Sequence, residues 1–163
     1  MKIDRALREV HDAETELAAE LLRVGERHKA DHDVYHLART LRSWCDRHVR
    51  RLAGDARRYD TPLDAEAIDD EQDRGLMARM RERGSELAGR RPEPGLLLLH
   101  DIRDLHLAAA RASLAWTMLG QGAQAVNDTK LLDTVAACHP ETIRTMKWTV
   151  QKLKEASPQV LAS

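Results

Sequence analysis

Residues 37–54 read LARTLRSWCDRHVRRLAG. The positions Leu37 or Ala38, Leu41, Cys45, His48 or Val49, and Leu52 recur every three to four residues, the signature of a helix that buries one face. Gly54 closes the stretch, and Asp31 or Asp33 in the preceding "HKADHD" supplies a side-chain cap for its start. What sets this helix apart is what it turns inward: a thiol at Cys45 and an imidazole at His48, three residues apart. The rest of the chain must say what meets them.

Working outward, the upstream series Ile3, Leu7, Val10, Leu17, Leu21 and Val24 steps by threes and fours, with Glu14 in its one gap. This predicts a first helix over about residues 2–29, antiparallel to the second across a short link. Downstream, residues 55–94 are rich in Asp and Arg, opening near "DTPLD" and closing at "GRRPEPG". Within them Leu76, Met77, Met80 and Leu87 suggest a weakly amphipathic helix, so the stretch reads as one long crossover with a helix of its own. A third long helix is expected from about Leu96 to Leu119 on Leu98, Ile102, Leu105, Ala109, Ala112, Trp116 and Leu119, broken by "GQGAQ". A fourth starts near Asn127 or Asp128 on Leu131, Leu132, Val135, His139, Thr142, Met146, Val150 and Leu153, and "SPQ" stops it. Pro140 falls inside it and predicts a kink or a restart over residues 136–140.

Composition agrees with helix throughout. Phe is absent from the 163 residues and β-branched residues are sparse, while Ala, Leu, Arg and Glu are abundant. The length suits a single domain, 1–163, around one core. A formal net charge of -1 removes the electrostatic reason to expect nucleic acid or an anionic membrane surface. No run of 18 apolar residues appears and the N-terminus is charged, so no membrane span or signal peptide is expected. Two cysteines imply no disulfide framework, and a reducing cytoplasm is the simplest location. Gly-rich phosphate loops, a Ser-centred elbow and a Cys-x-x-Cys pair are absent, which leaves nucleotide, hydrolase and dithiol chemistry without sequence support.

The helical wheels sort the polar residues. Glu14, Cys45, His48, Asp101, His139 and Thr142 fall in apolar sectors, whereas the i, i+4 pair His32 and His36 points away from the core. With the first turn near residue 30, Glu14 stands opposite about residue 46. A parallel second and third helix would bring Ala108, Ala109 and Ala112 to that level, and the turn near residue 124 would bring His139. Glu14, Cys45, His48 and His139 are therefore expected in one core layer, as candidate ligands of a metal ion. Cys138 and Asp101 read as packing and as a locally paired carboxylate. Trp148 is expected on an outer face with Glu141, Thr145 and Lys152.

Two hairpins joined by a long crossover is the ferritin-like version of a four-helix bundle. The segments "LREVHDAETELAAELLRV" and LARTLRSWCDRHVRRLAG resemble the first two helices of the ferritin-like superfamily, and more closely of the small bacterial stress-associated ferritin-like proteins. The resemblance implies an all-α ferritin-like antiparallel bundle and a di-iron site. Such a site takes one Glu from each of two helices and Glu-x-x-His from each of the others. Glu14 matches a helix carboxylate and His48 an imidazole, but Cys45 stands where the paired Glu belongs, and His139 and Thr142 stand in the Glu and His places. One carboxylate cannot bridge two hard cations, so ferroxidase activity is not expected. Two readings remain open. In one, a single Zn or Fe ion is held by Glu14, Cys45, His48 and His139 for sequestration or stress protection. In the other, a metal-free scaffold has a hydrogen-bonded polar layer, with its outer surface used for a homodimer or a partner. A Cys45–His48 nucleophile pair is conceivable, but its depth bars substrate.

Overall fold

The computed structural model describes residues 2–67, 75, 78 and 93–163. Most of them lie in four long helices: α1 Ile3–Arg27, α2 His32–Ala56, α3 Pro94–Ala125 and α4 Thr129–Leu161. A 3-10 turn, Arg57–Tyr59, extends α2. Leu76, Met77, Met80 and Leu87, on which the expected crossover helix rests, lie outside the described residues. Helix α1 packs on α2 and α3, and α4 packs on α3 and more lightly on α2. Polar contacts give the directions. Asp31 bonds Lys152 and Arg58 bonds Asp128, so α2 and α4 are antiparallel. Arg23 meets Asp101 and Glu14 meets Trp116, so α1 and α3 are antiparallel as well. Helices α2 and α3 therefore run parallel, as two hairpins joined by a crossover require.

Each start follows from a local donor problem. The first amide groups of a helix lack partners, and Asp31 accepts from the Val34 amide at 3.1 Å while Asp128 accepts from Leu131 at 3.0 Å. The expected stripes of α1 and α2 form the core, with Leu7, Val10, Leu17, Leu21, Val24, Val49 and Leu52 sealed from solvent. Each such side chain contributes about 1.5–3 kcal/mol when fully buried.

Three expectations need correction. "GQGAQ" does not break α3, which runs through it to Ala125. Gly120 and Gly122 are points of close approach: a Cβ there would stand 3.2 Å from Val135 and 2.9 Å from Ile3. The turn comes after them, where Asn127 adopts a left-handed φ of 55°. Likewise α4 passes through both Pro140 and Pro158 to Leu161 without restarting.

The third correction concerns the face of α4. Its buried positions are Leu131, Thr134, Cys138, Thr142, Thr145 and Thr149, a face turned about one residue from the predicted stripe. Val150 and Ile143 are exposed instead. The expected outer group faces α2: Thr145 is buried, Lys152 reaches Asp31, and Trp148 packs half-buried against the core.

Candidate functional site: a carboxylate–imidazole layer

Glu14 is fully buried at the middle of α1. Its Oε2 receives a hydrogen bond from His48 Nδ1 at 3.0 Å. Its Oε1 receives two, from the Trp116 indole N–H at 2.6 Å and the Thr142 hydroxyl at 2.8 Å. All four helices thus contribute to one carboxylate. The far side of the His48 ring, Nε2, lies 2.8 Å from Glu141 Oε2, and Arg47 grips the same Glu141 carboxylate at 2.9 and 3.0 Å. Trp116 also sets its ring edge-on to His48, 5.8 Å between centroids.

Because both ring nitrogens of His48 face carboxylate oxygens, both must donate, and the ring is an imidazolium. Burial by itself works against that charge, but the hydrogen bonds and charges of Glu14 and Glu141 outweigh it and raise the His48 pKa. The same holds in reverse for Glu14: burial pushes its pKa up, and His48, Trp116 and Thr142 together hold it below the ordinary value. Cys45 borders this layer. Burial, then the charge of Glu14 and a hydrogen bond to it, push the thiol pKa well up. Cys45 is therefore a protonated thiol beside Glu14, with no thiolate character of its own.

Of the four expected ligands, Glu14, Cys45 and His48 come together and His139 stands aside. The turned face of α4 leaves its ring half-buried at the α3–α4 seam, with Nε2 2.8 Å from the Ser113 hydroxyl. Burial lowers its pKa, offset only in part by the Glu14 charge felt through space. The place predicted for His139 is filled by Thr142 and Glu141. On α3 the level of the layer is Trp116, one to two turns beyond Ala109 and Ala112. Trp116 was legible as core but not as a donor. Glu141 was missed because its own stripe looked outward, and the signal that could have found it was its adjacency to inward Thr142.

The other inward carboxylate, Asp101, is paired as expected. It accepts from Arg23 at 2.9 Å, Arg27 at 3.0 Å and His28 at 2.8 Å. Cys138 is buried, and burial raises its pKa to about 12.

A di-iron centre does not fit these residues. Among the described residues only Glu14 and Glu141 bring carboxylate oxygens to His48, the His48 ring lies between them, and an indole N–H occupies a Glu14 lone pair that a metal would need. Among the described residues no group of three or more His, Cys, Asp or Glu side chains is placed around a common ion position, and no helix is long and apolar enough to cross a membrane. No family model, curated protein or solved structure matches this chain.

Proposed function

We propose that this chain is a ferritin-like scaffold or interaction protein in which a proton-charged layer, Glu14–His48–Glu141, stands where the superfamily resemblance would put a metal centre. One observation carries the reading. Both His48 nitrogens are engaged by carboxylates while Glu14 takes two further donors, so the buried Glu14 charge is met by a proton on His48, and Arg47 meets that of Glu141. Buried ion pairs rarely raise stability above that of an apolar core, but they penalise helices packed in the wrong register or rotation. A layer that needs all four helices suits a protein whose task is to hold one shape for a partner.

A second reading is favoured by Glu14, Cys45 and His48 side by side on α1 and α2. A single Zn or Fe ion could displace the His48 and Cys45 protons and take a carboxylate, a thiolate and an imidazole, with His139 or Glu141 completing the set after a side-chain rotation. The chain would then serve in metal sequestration or stress protection. Metal analysis of protein purified from zinc- and iron-supplemented medium separates the two, combined with NMR of the His48 ring. The scaffold reading expects less than a tenth of an equivalent of metal, no shift in Tm on adding Zn²⁺, and a doubly protonated ring at neutral pH. One equivalent of ion, lost in the His48→Gln variant, would overturn it.

A further inference from the structure

Helices α3 and α4 cover their inner faces well and leave a large apolar outer face. Leu107 is 61% exposed, Leu114 67% and Met118 50%, and on α4 Ile143 and Val150 are each more than a third exposed. Such a cluster on two adjacent helices is beyond the scattered exposure expected on any surface. The groove between them is lined by His106, Ser113, Met146, Lys147, Val150 and Lys154.

The spacing of this face says what fits it. Leu107 and Leu114 are seven residues apart on α3, and Ile143 and Val150 are seven apart on α4, the repeat of a helix-packing seam. The two pairs are staggered. His106 faces Thr149 and Ser113 faces His139 across the hairpin, so Ile143 stands near the level of Arg111 and Val150 near that of Asp104. Ile143 thus falls midway between Leu107 and Leu114, and Val150 half a heptad beyond Leu107. A knob set midway between two others on a parallel ridge is what a facing copy needs in order to interlock.

We propose that the outer α3–α4 face is the seat of a second copy of this chain. The two copies are related by a two-fold axis parallel to the bundle, which lays α3 of each over α4 of the other. Ile143 of one copy then enters the hole between Leu107 and Leu114 of the other. Asp104 stays paired with Arg103 of its own copy at the edge of this face. From Leu96 to Met118 the face is about 33 Å long and, two helices wide, about 20 Å across. That is about 650 Å² per copy, approaching the roughly 800 Å² of a standard stable interface. The inference deepens the scaffold reading by naming its partner.

Sedimentation velocity of the full chain from about 1 to 100 µM tests it, a range that brackets common dimer affinities. The wild type is expected at twice the chain mass. Leu114→Glu, on an exposed position that the fold does not need, should raise the dimer dissociation constant at least about 100-fold, because the two-fold axis repeats the change on both sides. Leu107→Glu should do the same, with helical circular dichroism unchanged in both. Arg50→Glu on the exposed surface of α2 should leave the dimer intact. A wild type that stays monomeric throughout overturns the proposal, and so does a dimer indifferent to both leucine changes. Binding of an acidic Leu/Glu heptad peptide to a monomeric wild type would point to a foreign helix as the occupant instead. These outcomes are separable from those of the scaffold reading: a metal-free monomer removes only the dimer, and a dimer with one equivalent of zinc removes only the metal-free layer.

Discussion

Two buried carboxylates, Glu14 and Asp101, are stabilised in opposite ways. Asp101 lies where α1 ends and α3 begins, and it is met by two guanidinium groups and the His28 ring. The side chains of Arg23 and Arg27 remain 20% and 34% exposed, so their charges keep water while reaching in. Glu14 lies at mid-bundle, where no long cationic side chain could keep its head wet. Its counter-charge is the ring of His48, 2% exposed, and the remaining donors are neutral. Arginine charge, with the His28 ring beside it, serves the bundle end and a single imidazolium serves its middle, so the loss of stability as pH rises past 6.5 is assigned to the Glu14 layer.

The largest break in that comparison is His48→Leu. It strands a buried carboxylate and should cost about 3–5 kcal/mol in chemical unfolding. The pH profile sharpens it further. Glu14 has a depressed pKa, so its contribution is in place above its unfolded value of 4.5 and is lost as pH falls through the lower folded value. His48 has a raised pKa, so its contribution is in place below 6.5 and is lost as pH rises through the higher folded value. The layer is at full strength between pH 4.5 and 6.5 and weakens on both sides. In His48→Leu burial dominates Glu14 and raises its pKa, so the variant should gain stability on acidification toward pH 4.5, where the wild type is flat. Urea melts across pH 4 to 9 read both slopes; the same slopes in both proteins would remove the layer as the titrating element.

Trp116→Phe keeps the packing and deletes one donor to Glu14. Its expected cost is about 1–3 kcal/mol, with a higher Glu14 pKa visible as an acid limb shifted upward. Asp101→Asn should cost about 1 kcal/mol, since the arginine heads it releases can turn to water. That variant should leave the alkaline limb untouched, because His48 is intact. The smallest effect expected is that of Arg47→Ala: this side chain is 47% exposed, and the change should stay below about 1 kcal/mol. An Arg47→Ala cost as large as that of Trp116→Phe would mean the layer extends to the surface.

Much of this was legible in the sequence, and the failures on the face of α4 share one cause. On α1 and α2 the inward residues are mostly Leu and Val, which sort cleanly on a wheel, so Glu14, Cys45 and His48 could be placed from spacing alone. On α4 the inward face is built from Thr134, Thr142, Thr145 and Thr149, while Ile143 and Val150 look outward. Threonine carries a methyl group for packing and a hydroxyl that finds a partner: Thr142 bonds Glu14, Thr134 bonds Asp55, and Thr149 returns to the Met146 carbonyl. A hydropathy-based wheel discounts such residues and follows the β-branched aliphatics instead. That one-residue turn brought His139 inward beside Thr142, which does face the core, and hid Glu141. The glycines of "GQGAQ" misled in a related way, since a residue chosen for close packing spells the same letters as a helix stop.

Glu141 keeps about a fifth of its side chain exposed, whereas Glu14 and the His48 ring are sealed. The two imidazole protons of His48 therefore differ in their access to solvent. The one on Nε2 can pass to water through the Glu141 carboxylate, while the one on Nδ1 is held against Glu14 until the helices part. Measured side by side, the slow ring proton clocks the opening of the bundle and the fast one clocks only the turnover of a surface carboxylate, giving this chain an internal chronometer for its own breathing.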